Sequence, residues 1–161
     1  MYNVKEFKEF CVSNKKKFNF IINIFYPSSK LSEVKNYHNF FDLSVNNLSS
    51  VLDSINHKHI NKIIYTSSSS VYGSINDHNY LNDANNRQLY SSTKLLNEIT
   101  LNNYCQKNNI PLIVARLFNM YGSNENFSII HKLIKKINNN KKIILYNNGD
   151  SVRVFIHVDD V

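Results

Sequence analysis

The chain has 161 residues, a formal charge of +7 and 42% hydrophobic residues, which suits one globular domain with a hydrophobic core. Its lysines and arginines are scattered and are not interleaved with stacking aromatic side chains, which argues against a nucleic-acid partner. No apolar run is long enough to span a bilayer, and we find no signal-peptide pattern. We therefore expect a cytoplasmic protein without a membrane or nucleic-acid partner.

Short apolar runs alternate with segments of helical spacing along the chain. The predicted elements in chain order are a strand at Phe20–Phe25, a helix over about 38–56, a strand at Lys62–Thr66, a helix over about 87–108, a strand at Pro111–Leu117, a helix at Ser128–Ile137, and strands at Lys142–Tyr146 and Val152–Val158. This alternation is typical of βαβ units and predicts an α/β fold with a parallel sheet. In such sheets, ligands lie outside the carboxyl ends of the strands.

The spacing of apolar residues predicts which face of the two longer helices is buried. In the helix over 38–56, the residues expected to face the core are Phe41, Val45, Leu48, Val51, Leu52 and Ile55. In the helix over 87–108, they are Leu89, Leu95, Leu96, Ile99 and Leu101.

A tyrosine and a lysine in the second of these helices are the strongest candidates for chemistry. Tyr90 and Lys94 are four residues apart, so a helix places both side chains on one face. A free phenol has a pKa near ~10, and an ammonium one turn away favours the phenolate and lowers that pKa. Ser68, at the end of a strand, can hold a substrate oxygen beside the phenol. The Tyr-x-x-x-Lys pattern alone is frequent by chance in this composition, so the pair depends on its context.

The cysteines, the histidines and one acidic pair have simpler explanations. Cys11, Cys105 and the six histidines lack metal-ligand spacing, which predicts neither a disulfide framework nor a metal site. Asp159 and Asp160 stand alone as an acidic pair. The sequence therefore predicts no metal.

Three segments supply the context for Tyr90 and Lys94. They are Ile63–Gly73, Ala115–Gly122 and Gly149–Val161. In order and spacing, these segments resemble the extended short-chain dehydrogenase/reductases of the NAD-dependent epimerase/dehydratase family, which act on nucleotide sugars. The resemblance covers nearly the whole chain and implies a partial Rossmann-like, doubly wound sheet.

The resemblance implies catalytic and cofactor roles at matching positions. Ser68, Tyr90 and Lys94 correspond to the family's catalytic triad, in which the tyrosine moves the proton of a sugar hydroxyl while hydride passes to or from NAD or NADP. Tyr90 and Lys94 would also contact the cofactor, together with Ser67 and Phe118.

The resemblance also implies a nucleotide-sugar site. Ser68 would orient the reacting oxygen, while Asn119 and Arg153 would contact the diphosphate, which suits the fork of a guanidinium group. Ser69 and Ser70 replace the Asp-Glu pair of the family's dehydratases. That replacement favours epimerase or reductase chemistry over dehydration.

The chain also departs from the family pattern. No glycine precedes Gly73, so the Gly-rich turn that holds the pyrophosphate, and with it the first three strands, has no counterpart. We expect residues 1–122 to form a partial NAD(P)-binding domain and residues 123–161 a partial substrate-binding region. Smaller departures are Phe25 and Tyr26 in place of small residues, Ser44 in place of an asparagine, Asn147 in place of a glycine and Val154 in place of an aspartate.

Three hypotheses remain open at this point. The chain is an NAD(P)-dependent nucleotide-sugar epimerase or reductase, or an inactive fragment or subunit that needs a second chain to bind NAD, or a pseudoenzyme that retains a binding half-site. The missing Gly-rich turn predicts no measurable NAD binding by the isolated chain. The Tyr90/Lys94 helix is a possible homodimer surface by resemblance.

Overall fold

The computed structural model describes residues 6, 9–10, 13, 16–24, 36–72, 86–122, 125–150 and 152–161. The chain forms two compact units, Met1–Arg116 and Leu117–Val161. The functional boundary predicted after residue 122 stays a prediction.

A three-stranded sheet forms the first unit, with β1 (Phe18–Ile22), β2 (Ile60–Ser68) and β3 (Leu112–Leu117) in the order β1-β2-β3. β1 and β2 are parallel, with Ile22 opposite Tyr65. The predicted α/β fold with a parallel sheet is confirmed. β2 is longer than predicted and includes Ser67 and Ser68, so both serines lie at the carboxyl end of a central strand.

The helix predicted over 38–56 is present but is interrupted by a π-turn. It consists of α1 (Tyr37–Phe41), the π-turn (Asp42–Asn46) and α2 (Asn47–Ser54). The prediction that Phe41 faces the core is wrong, because Phe40 is 1% exposed and Phe41 is 39% exposed. A π-turn accommodates one extra residue per turn, which shifts the buried face before it by one position. After the π-turn, Leu48, Leu52 and Ile55 are buried as predicted.

The long helix α3 (Asn86–Asn108) confirms the helix predicted over 87–108. Leu101 is buried as predicted, but the prediction is wrong for Leu95, Leu96 and Ile99, which are 40%, 45% and 52% exposed. The buried residues of α3 are instead mostly polar: Thr93, Lys94, Asn97, Glu98, Leu101 and Cys105. Apolar spacing failed here because the polar side chains of this face find hydrogen-bond partners on the sheet and on the π-turn, as described below.

The hydrophobic core of the first unit lies between the sheet and the helices. It consists of Leu48, Leu52, Ile55, Ile60, Ile63, Tyr65, Leu101, Cys105 and Ile110. α3 is followed by Asn109, which has a left-handed backbone (φ 53°), and the amide of Ile110 then donates to the carbonyl of Cys105 (2.9 Å). This turn directs the chain into β3.

The second unit contains β4 (Asn119–Tyr121), α4 (Ile129–Asn138) and β5 (Phe155–His157), and β4 pairs with β5 in parallel. The helix predicted at Ser128–Ile137 is confirmed. The strand predicted at Lys142–Tyr146 is wrong: residues 141–145 have no regular secondary structure, and a 3-10 turn follows at Tyr146–Gly149. An apolar run becomes a strand only when another strand pairs with it, and within the described residues β4 pairs only with Phe155–His157.

In the part of the chain that the structure describes, none of the helices is long and apolar enough to cross a membrane. No group of three or more histidine, cysteine, aspartate or glutamate side chains could hold a metal ion within the same residues.

Candidate functional site

Three side chains of α3 lie on one stripe that faces the carboxyl end of β2. Tyr90, Lys94 and Glu98 follow one another at intervals of four residues, and their helix contacts both β2 and the 3-10 turn after it. Tyr90 is partly buried, while Lys94 and Glu98 are buried. The helix therefore presents a phenol, an ammonium and a carboxylate to the strand end that carries the serines.

Lys94 is held by two backbone carbonyls at the ends of neighbouring strands. Its Nζ donates to Ile24 O (2.6 Å) and to Thr66 O (2.9 Å). The same atom lies 5.3 Å from the ring centroid of Tyr65 and 5.8 Å from that of Tyr90. Burial lowers the pKa of Lys94 to about 8. Because an ammonium has three protons, these two carbonyls leave one for a further acceptor.

The pKa of the Tyr90 phenol is raised above its ordinary value, because burial disfavours the phenolate. A side-chain hydrogen bond with Ser68 acts in the opposite direction and lowers that pKa. The sequence predicted that Lys94 would lower the pKa of Tyr90, and the net direction is the reverse. The physical reason is that the phenol is partly buried, and the effect of burial outweighs that of the Ser68 hydrogen bond.

Ser68 occupies the last position of β2, before a 3-10 turn at Ser69–Tyr72. Its Oγ accepts hydrogen bonds from Ser70 N (3.2 Å) and Ser70 Oγ (2.9 Å). With its own proton, the same hydroxyl can stabilise the Tyr90 phenolate. Ser68, Tyr90 and Lys94 are thus brought together, as the sequence predicted, although their chemical roles stay predictions.

Glu98 joins β2, α3 and β3 in a network that the sequence did not reveal. Its carboxylate accepts hydrogen bonds from Ser67 Oγ, from Arg116 Nε (3.1 Å) and from Arg116 Nη2 (2.7 Å). Burial by itself raises the pKa of Glu98, but the hydrogen bonds from Arg116 and Ser67 outweigh it and hold the pKa below its ordinary value. In the sequence, the only indication that Glu98 belongs to the site was its four-residue interval from Lys94.

Asn97 forms a second buried network behind Lys94. Its Nδ2 donates to Ser44 O in the π-turn (2.7 Å) and to the hydroxyl of Tyr65 (3.3 Å). Burial raises the pKa of Tyr65 to about 12, with the Asn97 hydrogen bond opposing it. This network ties the π-turn to α3 one turn beyond Lys94.

The other predicted site residues lie in the second unit. Phe118 and Arg153 are exposed, while Asn119 Nδ2 donates to Val154 O (2.9 Å) and so joins β4 to the segment before β5. Their predicted contacts with cofactor and substrate stay predictions, as does the cofactor contact of Ser67. Gly73, Phe25 and Tyr26, which the sequence analysis singled out, lie outside the described residues.

The NAD dependent epimerase/dehydratase family matches this chain from residue 4 to residue 161. The chain belongs to this family. Among curated family relatives, the chain is 29% identical to Protein CapI of Staphylococcus aureus over 88% of its own length and 43% of the relative's. It is 30% identical to the dTDP-D-glucose 4,6-dehydratase of Dictyostelium discoideum over 69% of the chain and 29% of that protein. The chain thus spans less than half the length of these relatives.

Solved structures with the same fold cover almost the whole chain. The UDP-glucuronic acid 4-epimerase of Bacillus cereus, in complex with UDP-glucuronic acid and NAD, matches 99% of the chain and 51% of its own length, with a TM-score of 0.72 and 22% identity. The dTDP-glucose 4,6-dehydratase of Bacillus anthracis, in complex with NAD, matches 98% of the chain and 49% of its own length, with a TM-score of 0.71 and 23% identity. At these identities, the likeness establishes the fold alone.

Proposed function

We propose that this chain carries the nicotinamide and sugar side of an NAD(P)-dependent nucleotide-sugar epimerase or reductase, with Ser68, Tyr90 and Lys94 as its reacting groups. The observation that carries the proposal is the meeting of the three side chains at the carboxyl end of β2. Ser68 hydrogen-bonds Tyr90, and Lys94 Nζ lies 5.8 Å from the Tyr90 ring. In parallel sheets, ligands lie at this end of the strands.

Each residue has a distinct role in this proposal. Tyr90 removes or returns the proton of a sugar hydroxyl, and Ser68 holds the sugar oxygen beside the phenol. Lys94 uses its remaining proton to hold the nicotinamide ribose, close to Ser67 and with Phe118 as a further cofactor contact. The cofactor, when bound, accepts and donates the hydride.

The family and the structural neighbours support a proposal for the substrate class. The Bacillus cereus epimerase binds UDP-glucuronic acid, and a related structure from Methanobrevibacter ruminantium holds UDP-N-acetylmuramic acid. We propose a nucleotide sugar for this chain as well, with Asn119 and Arg153 at its diphosphate. An arginine fork suits such an oxyanion pair.

A second candidate is a subunit or fragment that binds NAD only with another chain. The absence of any glycine before Gly73 favours it, because the pyrophosphate of NAD needs a close backbone approach. Leu95, Leu96 and Ile99 are exposed on α3, which supports docking of that helix against another chain or a second copy. DNA next to the gene distinguishes the candidates if it encodes a Gly-rich βαβ unit.

Turnover tests the proposed function. The protein is incubated with NAD and UDP-glucuronic acid, UDP-glucose or UDP-N-acetylglucosamine, alone and together with the Gly-rich N-terminal half of a full-length family member, and the sugar products are followed by proton NMR. We expect epimerisation in the complemented sample. Loss of the Tyr90 hydroxyl in Tyr90→Phe should lower the rate by about 10²–10⁴-fold, the usual contribution of a positioned acid-base group.

Tyr37→Phe is the matched control, because Tyr37 is exposed on α1 and is distant in sequence from Tyr90. It should leave turnover unchanged. Product formation that survives Tyr90→Phe would contradict the assigned role of the phenol. No product from any of the three sugars in either sample would contradict the proposed function itself.

A further inference from the structure

The turn that carries Ser68 is tied at both of its ends to one ion pair. We call residues Ser67–Tyr72 the serine turn. At its start, Ser67 Oγ donates to Glu98 Oε1. At its end, the ring of Tyr72 lies against the guanidinium of Arg116, with Cζ 4.6 Å from the ring centroid. Glu98 and Arg116 are themselves joined by two hydrogen bonds, so the serine turn is clamped between them.

The ion pair has the geometry of a fixed unit. Arg116 uses both Nε and Nη2 on the two carboxylate oxygens of Glu98, an arrangement that sets direction as well as distance. The Glu98 side chain is 9% exposed. The Arg116 side chain is 31% exposed, so the pair is only partly buried. An ion pair of this kind contributes little net stability, because desolvation of the charges offsets their attraction, and its best-supported use is to fix one arrangement.

The same helix fixes the partner of Ser68. Tyr90 precedes Glu98 by two helical intervals of four residues, which corresponds to about 12 Å along a rigid helix. The Glu98–Arg116 pair therefore sets the position of the serine turn relative to the helix that carries Tyr90. Within that turn, Ser68 forms a side-chain hydrogen bond with Tyr90.

We propose that Glu98 and Arg116 are positioning residues that hold the Ser68 hydroxyl against the Tyr90 phenol. Neither residue touches the reacting oxygen in this scheme. The inference rests on the proposed function only for its catalytic meaning, because the Ser68–Tyr90 contact can be measured without turnover.

The readout is the alkaline titration of the Tyr90 phenol, followed by NMR on protein labelled at tyrosine Cζ and assigned with Tyr90→Phe. Arg116→Lys and Glu98→Asp keep the charges but lose the double hydrogen bond, and Ser67→Ala removes only the link to the turn. Among the described residues, the ionisable groups near the phenol are Lys94 on its own helix and Tyr65 on β2, and no variant replaces either of them. Each variant should raise the pKa of Tyr90, because the Ser68 hydrogen bond that lowers it is weakened.

Ser68→Ala gives the upward shift that corresponds to complete loss of the contact. If Arg116 acts through Ser68, the double variant Arg116→Lys/Ser68→Ala shifts no further than Ser68→Ala alone. Glu9→Asp, an exposed glutamate near the N-terminus, is the matched control and should leave the titration unchanged. If the Glu98–Arg116 pair had only a structural role, its loss would destabilise the fold, but the Tyr90 pKa would not show this non-additive shift.

Two outcomes overturn the inference. One is a Tyr90 titration that stays at the wild-type position in folded Arg116→Lys and Ser67→Ala, and the other is a full additional shift in the double variant. If Arg116→Lys does not fold, Ser67→Ala decides, because it changes neither charge nor backbone. A failure of the proposed function appears as absent turnover and leaves this titration readable.

Discussion

Lys94 is an ammonium in the interior of the first unit, and its position has consequences for stability as well as for chemistry. Of its two carbonyl partners, Ile24 O lies just after β1 and Thr66 O lies within β2. The side chain therefore connects the ends of two neighbouring strands. Burial lowers its pKa to about 8, which brings this lysine closer to titration at neutral pH than the phenol beside it. Charge in the candidate site therefore changes first at Lys94 as the pH rises.

The lowered pKa of Lys94 predicts a specific pH dependence of folding. Between pH 8 and 10.5, the folded state has released this proton while the unfolded state still holds it, so stability rises with pH over that window. We expect the free energy of unfolding of the wild type, relative to Lys94→Met, to increase with pH there by at most about 1.4 kcal/mol per pH unit. Urea unfolding of both proteins at several pH values measures this difference.

Lys107→Met is the matched control, because Lys107 is exposed in the last turn of the same helix. It should keep the pH dependence of the wild type. Any pH-independent loss from the two carbonyls left without Lys94 shifts the whole curve and does not affect its slope. A flat difference between wild type and Lys94→Met from pH 8 to 10.5 would show that burial does not hold this pKa down.

At the scale of elements, the π-turn between α1 and α2 and the polar face of α3 depend on each other. Asn97 Nδ2 donates to Ser44 O within the π-turn. Ser44 Oγ and Asn97 Oδ1 are buried, and neither has a hydrogen-bond partner within the described residues. The π-turn and α3 are therefore joined by one hydrogen bond, while two buried polar atoms beside it have no partner in the same part of the chain. A buried hydroxyl without a partner destabilises a fold.

Two equally buried serines allow the same substitution to be compared with and without a hydrogen bond to the hydroxyl. Ser44 and Ser67 are each 4% exposed, but only Ser67 has a hydrogen-bonded hydroxyl, which donates to Glu98. We expect Ser44→Ala to raise the free energy of unfolding by about 1 kcal/mol, since the alanine removes an unsatisfied group and favours helix. Ser67→Ala should lower it by about 1.5–3 kcal/mol, the worth of a hydrogen bond to a charged group.

Chemical denaturation of the two variants and the wild type measures both values. Since the substitution removes the same atom at equal burial, each variant serves as the control for the other. Equal destabilisation by both substitutions would mean that the Ser44 hydroxyl does form a hydrogen bond in the folded protein.

The elements show where sequence patterns succeed and where they fail. The alternation of apolar runs with segments of helical spacing predicted β2, α3, β3 and α4. The π-turn was missed because a single extra residue does not disturb the sequence pattern but shifts the buried face to Phe40. The polar face of α3 was missed because burial of Lys94, Asn97 and Glu98 depends on partners from distant segments.

The candidate site divides in the same way. The four-residue interval of Tyr90 and Lys94 and the serine segment identified residues that the fold brings together at the end of β2. The Glu98–Arg116 pair joins residues from α3 and β3, and no local pattern relates two such positions. The direction of the Tyr90 pKa shift also required the structure, since it depends on how deeply the phenol is buried.

At the scale of the whole molecule, the chain corresponds to only part of the family fold. It matches 51% of the Bacillus cereus epimerase and 43% of Protein CapI. The described residues at the end of β2 include Ser68, Tyr90 and Lys94, for which we propose contacts with a sugar hydroxyl and a nicotinamide ribose. For the pyrophosphate and adenosine of NAD, the sequence offers no Gly-rich turn, because its first glycine is Gly73.

This imbalance predicts that the isolated chain shows no measurable NAD binding by calorimetry. The pyrophosphate of NAD is normally held by backbone amides at a helix N-terminus, where glycines permit close approach. Without that site, the cofactor would depend on the single remaining Lys94 proton and its neighbours, which is too little to offset the loss of translational and rotational freedom on binding. A full-length family member in the same buffer serves as the control. Micromolar binding by this chain would overturn the prediction and would place the pyrophosphate on a backbone segment that lacks glycine.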